Sequence, residues 1–141
     1  MTDGDSNARS PFRFALDARS GVPVYRQIID QVVGGIAAGT LSPGDQLPTV
    51  RQLAVDLAIN PNTVIRAYRE LELRGVLDTQ QGTGTFIARQ RTPRPSAERG
   101  RRLAQLAQEF AARAGGEGYS LEEMIEALEE LRPEAGKKRR T

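Results

Sequence analysis

The sequence has no cysteine and no histidine among its 141 residues. The lack of cysteine excludes disulfides and thiol nucleophiles, and the lack of both residue types excludes Cys/His zinc sites and histidine-based catalytic triads. Most hydrolytic and metal chemistry therefore has no residues to work with. We predict that the chain is not an enzyme and has neither a metal site nor a cofactor.

Long hydrophobic runs are also missing. No stretch reaches the roughly 18 apolar residues of a membrane span, and the first ten residues, MTDGDSNARS, are polar where a signal peptide would be basic and then apolar. We therefore expect a cytoplasmic protein with no membrane partner. The hydrophobic share of 38% supports a modest core, enough for one domain and an appendage.

The net charge of +2 is unevenly distributed. Residues 22–88 carry five basic and six acidic side chains, residues 89–102 carry six and one, and residues 103–136 carry two and eight. The central segment thus lacks the basic surface that is typical of nucleic-acid-binding domains, so positive charge must act locally. The basic segment after residue 88 and the block 137–140 are either a solvated linker and tail or phosphate contacts.

The N-terminal third predicts a strand, a helix and a turn. Phe12, Phe14 and Leu16 alternate with polar or small residues, which suggests a short strand. Apolar residues at three- and four-residue spacing then run from residue 25 to 36 and predict a helix that starts at Pro23 and ends at Gly39. Ser-Pro-Gly-Asp at 42–45 suits a type II turn.

Capping residues in the sequence predict the boundaries of two further helices. Thr49 can cap the first, with Gln52 reaching back to it, and the apolar spacing ends at Ala58. Asn60 followed by proline is a good cap for the next helix, which we expect to run to residue 74 with Gly75 as a left-handed C-cap.

The last of these three helices has two different faces. Its inward side should carry Val64, Ala67, Tyr68 and Leu71. The opposite side carries Asn62, Arg66 and Arg69, which suit groove reading because arginine pairs with guanine and asparagine with adenine. The alternative is an ordinary solvated face with an Arg66–Glu70 ion pair. For Leu73, near the helix end, we expect packing under the following hairpin.

A glycine-containing hairpin follows. Residues 76–80 and 85–88 flank Gln81, Gly82, Thr83 and Gly84, and the two glycines supply unusual backbone angles at the tip. A phosphate-cradling loop is a poor alternative, because neither known glycine-rich signature is complete and no helix follows directly. Helix, helix, helix and hairpin together predict a winged helix-turn-helix.

The remaining chain predicts two helices that need another surface. Ser96 can cap the first, Gly115-Gly116 should break it, and Ser120 with Glu123 forms a capping box for the second. Their shared apolar stripe consists of Leu103, Leu106, Phe110, Leu121, Met124, Ile125, Leu128 and Leu131. A hairpin with a full stripe buries too little alone, so we predict a homodimer; folding back onto the winged helix is the alternative.

Three ordered segments resemble a known family. They are VPVYRQIIDQV, then GTLSPGDQLPTVRQLAVDLAINPNTVIRAYRELELRG, then GTGTFIA, within residues 12–88. This pattern resembles the GntR superfamily of bacterial transcription regulators and, through its Asn-Pro-Asn-Thr turn, the YtrA-type subfamily. The 53 residues after Ala88 are too few for the larger effector domains of other branches, which agrees with that subfamily.

The resemblance implies particular DNA contacts. In the family the arginine after Leu-Pro-x-x, the turn with the start of the recognition helix, and the wing glycines all contact DNA. The matching positions here are Arg51, Asn60, Asn62, Thr63, Gly82 and Gly84, with Thr83 between the wing glycines. Pro61 replaces the arginine of the commonest family pattern, so we expect Arg66 or Arg69 to take up base reading.

The expected architecture is mainly α with a small β-wing. We predict a disordered segment 1–11, a winged helix-turn-helix 12–88, a basic linker 89–95, a two-helix dimerisation domain 96–132 and a basic tail 133–141. An unknown small-molecule effector, where one exists, would bind between the two C-terminal helices or at the dimer interface.

The expected function is sequence-specific regulation of transcription. A homodimer would bind an inverted-repeat operator in double-stranded DNA, with half-sites about one helical turn apart. The resemblance implies a repressor of its own operon and of neighbouring transporter genes, associated with the nucleoid. The alternative is a winged helix used as a protein–protein interaction adapter.

Overall fold

The computed structural model describes residues 12–89 and 96–133, which belong to two separate compact units. The first unit contains residues 12–89 and the second contains residues 96–133. The predictions for residues 1–11, for most of the linker and for the tail after residue 133 lie outside the described residues. The domain boundaries given above therefore stay predictions.

The first unit is a three-helix domain with a small sheet. Its elements are α1 (Val24–Ala38), β1 (Gln46–Leu47), α2 (Val50–Leu57), α3 (Pro61–Leu73), β2 (Leu77–Gln80) and β3 (Gly84–Ile87). The strands are antiparallel in the order β1-β3-β2, with Leu47 opposite Thr85 and Gln80 opposite Gly84. This confirms the predicted class, mainly α with a β-wing. The two-residue β1 was missed because it is too short to show alternation.

The core of this unit lies between α1, α3 and the sheet. Its most deeply buried large side chains come from the three helices: Ile28, Ile29, Val32, Leu53, Val64 and Leu71. Ala67 and Tyr68 are buried as well, so the predicted inward face of α3 is confirmed. Deep burial of one face fixes which side of α3 remains outside.

The segment before α1 is not the predicted strand. The backbone of Ala15 pairs with the side-chain amide of Gln31, and the Asp17 N–H donates to the Gln27 Oε1 at 2.8 Å. The Gln27 Nε2 in turn donates to the carbonyl oxygens of Asp17 and Val22. Two glutamines of α1 thus bond the backbone of this segment, as a neighbouring strand would do. The alternation of apolar and polar residues does not distinguish these two cases.

The helix ends of the first unit follow the sequence closely. Gly39 adopts φ 87° as the C-cap of α1, and the Thr49 hydroxyl accepts the Gln52 N–H at 3.0 Å. We predicted that the Gln52 side chain would bond back to Thr49, and this is wrong. Its amide binds the Asp56 carboxylate, one turn further on. Gly75, at φ 78°, follows α3 in the left-handed region as predicted.

The second unit is a pair of helices, α4 (Ser96–Gly116) and α5 (Leu121–Glu129). Two predictions at the ends of α4 are wrong. Ser96 is itself helical, so it is not the cap, and the Gly115-Gly116 pair continues the helix. The chain leaves α4 at Gly118, whose φ of 97° lets Tyr119 N–H reach the Ala114 carbonyl, a closing pattern that needs a left-handed residue.

The start of α5 is the predicted capping box. Ser120 accepts the Glu123 N–H at 3.1 Å, and the Glu123 carboxylate accepts the Ser120 N–H at 2.8 Å. With Gly118 closing α4 and Ser120 opening α5, the turn between the helices is bonded at both ends. Within the described ranges, no helix is both long enough and apolar enough for a membrane span.

The buried Gln27 should contribute measurably to stability. We expect Gln27→Met, which keeps the side-chain length, to lower the free energy of unfolding by about 1–3 kcal/mol because it leaves the Asp17 and Val22 groups without their partner. Urea denaturation of the full chain, followed by circular dichroism, measures this. Gln31→Met is the matched control, because its bonds are exposed and its cost should be smaller; equal costs would contradict the role of burial.

Candidate nucleic-acid interface

The start of α3 is organised by Asn60. Its side-chain Oδ1 accepts the Asn62 N–H at 2.8 Å, and its backbone carbonyl accepts the Thr63 N–H at 2.9 Å. Pro61, in the first helical position, needs no such partner. The side-chain oxygen of Asn60 thus serves the cap, while its side-chain NH2 group carries two donors suited to an outside acceptor.

A shallow notch opens at this end of the helix. It is lined by Val24, Tyr25, Asn60, Asn62, Thr63 and Arg66. The structure therefore brings four of the sequence-predicted residues together, and it adds two from the start of α1. The lining is rich in hydrogen-bond donors that are exposed or half-buried, which suits contact with phosphate oxygens or base edges.

Arg66 makes a contact that sequence reasoning missed. Its guanidinium carbon lies 3.7 Å from the centre of the Tyr25 ring, a cation–π arrangement. The alternative Arg66–Glu70 pair is wrong, because Glu70 binds Arg74 instead, with Nε and Oε2 3.1 Å apart. The missed contact joins residues on different helices, so no spacing rule within one helix could have found it.

The charges on α3 are distributed in favour of an anionic partner. Glu70 is held by Arg74, and the Glu72 carboxylate accepts the Thr79 hydroxyl on β2. Arg66 and Arg69 remain exposed on the outer face. A segment without net positive charge therefore still presents two cations on one helix face.

The start of α2, with Arg51, is tied to α3 through a buried tyrosine. The Tyr68 hydroxyl donates to the carbonyl oxygen of Pro48 at 2.7 Å, two residues before α2 begins. Arg51 is the second residue of α2 and is exposed. The hydrogen bond therefore fixes the position of Arg51 relative to α3. Arg51 itself does not line the notch.

The wing has a tight, braced tip. Gly82 is exposed at φ 78°, and the Thr83 N–H closes the turn onto the Gln80 carbonyl at 2.9 Å. The sequence suggested that Gly84 belongs to the turn, but it is the first residue of β3. A side chain there would collide with the Gln46 amide, which crosses from β1 and donates to the Thr83 carbonyl.

Leu73 does not behave as predicted. Its side chain is 78% exposed and does not pack under the hairpin, because the buried positions beside the sheet belong to Leu71 and Val76. In the described part of the chain, no three acidic side chains come close enough together to hold a metal ion.

Comparison with known proteins places the winged helix among transcription regulators. The model of the family described as "Bacterial regulatory proteins, gntR family" matches residues 24–87. The transcriptional repressor YtrA of Bacillus subtilis is 48% identical over 73 residues, 52% of this chain and 56% of that protein. The chain thus spans little more than half the length of this relative.

Two solved structures extend the likeness beyond the winged helix. A GntR family regulator from Listeria monocytogenes has a TM-score of 0.56 and 31% identity, covering 82% of this chain and 98% of the other. YtrA from Sulfolobus acidocaldarius, described as a GntR-family transcription factor, has a TM-score of 0.50 and 30% identity, covering 83% and 94%. The comparisons agree with the resemblance seen in the sequence.

Burial of the Tyr68 hydroxyl makes stability depend on pH. Burial raises the pKa of the Tyr68 hydroxyl well above its ordinary 10.0. A folded-state pKa above the unfolded value means that this contribution is complete below pH 10 or so and is lost as pH rises toward the folded-state pKa. We expect Tyr68→Phe to be less stable by about 1 kcal/mol at neutral pH.

Above a pH of about 10, the unfolding free energies of wild type and Tyr68→Phe should converge. Urea denaturation at a series of pH values between neutral and strongly alkaline conditions measures both curves. If the two free energies of unfolding differed by the same amount at every pH, the loss of stability could not be assigned to ionisation of the buried Tyr68 hydroxyl.

Proposed function

Because this chain belongs to the GntR family of bacterial regulatory proteins, we propose that it binds an operator in double-stranded DNA through α3 and the wing. The observation that carries the proposal is the start of α3, where Asn62 and Arg66 stand exposed beside the capped Asn60. Short polar residues and arginine at the beginning of a recognition helix are the groups that reach base edges in the major groove.

The remaining proposed contacts surround this helix. Arg51, at the start of α2, and Arg69, one turn beyond Arg66, would bind phosphates, since both are exposed cations. At the wing, Gly82 has open space where a side chain would be, so its backbone can approach a groove closely. Thr83 and Gly84 continue the tip, where Gly84 has φ 137°, a conformation that favours glycine.

We further propose that the second unit forms a homodimer. Met124 is buried within the hairpin, but the other seven stripe residues remain exposed: Leu103, Leu106, Phe110, Leu121, Ile125, Leu128 and Leu131. An apolar surface of this kind on two helices gains about 25 cal/mol for each Å² that a partner covers. The same stripe on a second copy is the occupant that this self-complementary surface fits.

A dimer determines the form of the operator. Two recognition helices related by a two-fold axis would enter successive major grooves on one side of the duplex, so the operator would be an inverted repeat. Since the B. subtilis relative is a transcriptional repressor, we propose repression of the chain's own operon and of neighbouring transporter genes. This role places the protein in the cytoplasm, associated with the nucleoid.

The alternative use is that of a protein-binding adapter. The near-neutral charge of residues 22–88, which carry five basic and six acidic side chains, supports this alternative. DNA binding explains more, because the carboxylates of Glu70 and Glu72 are both engaged while Arg66 and Arg69 are not held by them. An adapter would need no such separation of charge on one helix face.

DNA binding should depend on Arg66 in a base-specific way. We expect Arg66→Ala to weaken binding by about 1–3 kcal/mol and to relax the preference at one base pair. Fluorescence anisotropy measures this with a duplex selected from a random pool by the wild-type chain and with a shuffled duplex. Arg74→Ala is the matched control at the C-cap of the same helix, because Arg74 is paired with Glu70.

The affinity of the selected duplex should also fall steeply with salt, since phosphate contacts release counterions. Equal losses of Arg66→Ala on both duplexes would contradict base reading by this residue. No salt-dependent binding to any duplex at micromolar protein would overturn the proposed function and favour the adapter.

The oligomeric state tests the role of the stripe. We expect Leu128→Asp to shift the chain from dimer to monomer, because a charge would have to be buried at the interface. Sedimentation velocity of the full chain measures the mass. Leu73→Asp is the control, since Leu73 is an exposed leucine of the other unit; a monomeric wild type, or loss of the dimer in both variants, would contradict the proposal.

A further inference from the structure

Tyr25 supplies a rigid platform at the edge of the candidate interface. It is the second residue of α1, is half-buried and packs against the core cluster. Three positions further on, Ile28 is completely buried, and Ile29 is nearly so. Because the same helix turn is anchored in the core, the Tyr25 ring has little freedom to move.

Arg66 lies across this platform. Its guanidinium carbon is 3.7 Å above the ring centre, and both residues line the notch at the start of α3. Within residues 12–89, no carboxylate pairs with Arg66, as Glu70 is engaged by Arg74. The ring is thus the feature that orders this long side chain in the free protein.

Stacking leaves the useful edge of the arginine available. A cation–π contact uses the flat face of the guanidinium, whereas its N–H donors point outward in the plane of the group. An arginine held in this way can still donate two parallel hydrogen bonds to one acceptor pair, as guanine offers in the major groove. The ring therefore orients Arg66 without competing for its donors.

We infer that Tyr25 is a positioning residue, which holds Arg66 in the orientation used for base reading. The inference rests on the proposed DNA contact of Arg66. An arginine side chain that is already ordered loses less conformational entropy on binding, so the ring raises both affinity and base preference. Tyr25 acts through Arg66, so its effect should disappear when Arg66 is absent.

A double-mutant cycle on the full chain measures this coupling. The variants are Tyr25→Leu, Arg66→Ala and their combination, and the probes are the selected duplex and the shuffled duplex used above. We expect Tyr25→Leu to weaken selective binding about three- to tenfold, the cost of ordering one long side chain on binding. It should weaken binding no further in the Arg66→Ala background.

Two additional variants separate positioning from other roles. Tyr25→Phe keeps the ring and should bind like the wild type, whereas a loss equal to that of Tyr25→Leu would show that the hydroxyl matters and would overturn the inference. Tyr25→Leu combined with Arg69→Ala is the matched cycle, and its losses should add because no ring contact joins these residues.

A readout without DNA keeps the inference distinct from the proposed function. In the free protein the Arg66 side-chain resonances should be shifted upfield by the ring, retained in Tyr25→Phe and lost in Tyr25→Leu. The absence of this shift overturns positioning even where Arg66→Ala weakens binding. A shift that is present without any duplex binding overturns the proposed function and the positioning for base reading with it.

Discussion

The burial of one face of α3 is the constraint on which the first unit depends. Val64, Ala67 and Leu71 are completely buried, and Tyr68 adds a buried hydrogen bond to Pro48. A helix sealed along this line cannot rotate without exposing the core, which would cost several kcal/mol. The outward direction of Asn62 and Arg66 is therefore a consequence of apolar packing on the opposite face of the helix.

The near-neutral charge of residues 22–88 still leaves two exposed cations on α3. Glu70 forms an ion pair with Arg74, and Glu72 accepts a hydrogen bond from the neutral Thr79 hydroxyl, while Arg66 and Arg69 face outward. In the proposed contact with DNA, Arg66 and Arg69 would supply contacts from one helix face rather than from a broad basic surface.

Sequence patterns predicted what is local and missed what is distant. The Thr49 and Asn60 caps, the Ser120 capping box and the inner face of α3 all follow from spacing within one helix, and the structure has them. The Tyr25–Arg66 contact and the pairing of β1 with β3 join positions far apart in the chain, and the Gln27 side chain joins α1 to the segment before it. The end of α4 was misplaced because glycines at 115 and 116 are only mildly unfavourable in a helix, whereas Gly118 has the required left-handed conformation.

The brace from Gln46 to the wing tip has a meaning for how such domains can be recombined. Its amide bonds to Thr83 across 37 positions of sequence, and the next residue, Gly84, has φ 137°, a conformation that favours glycine. A hairpin excised at the end of α3 and transplanted into a relative would leave its anchor behind. Because β3 lies between β1 and β2, a graft that keeps the wing braced on both sides has to begin at β1.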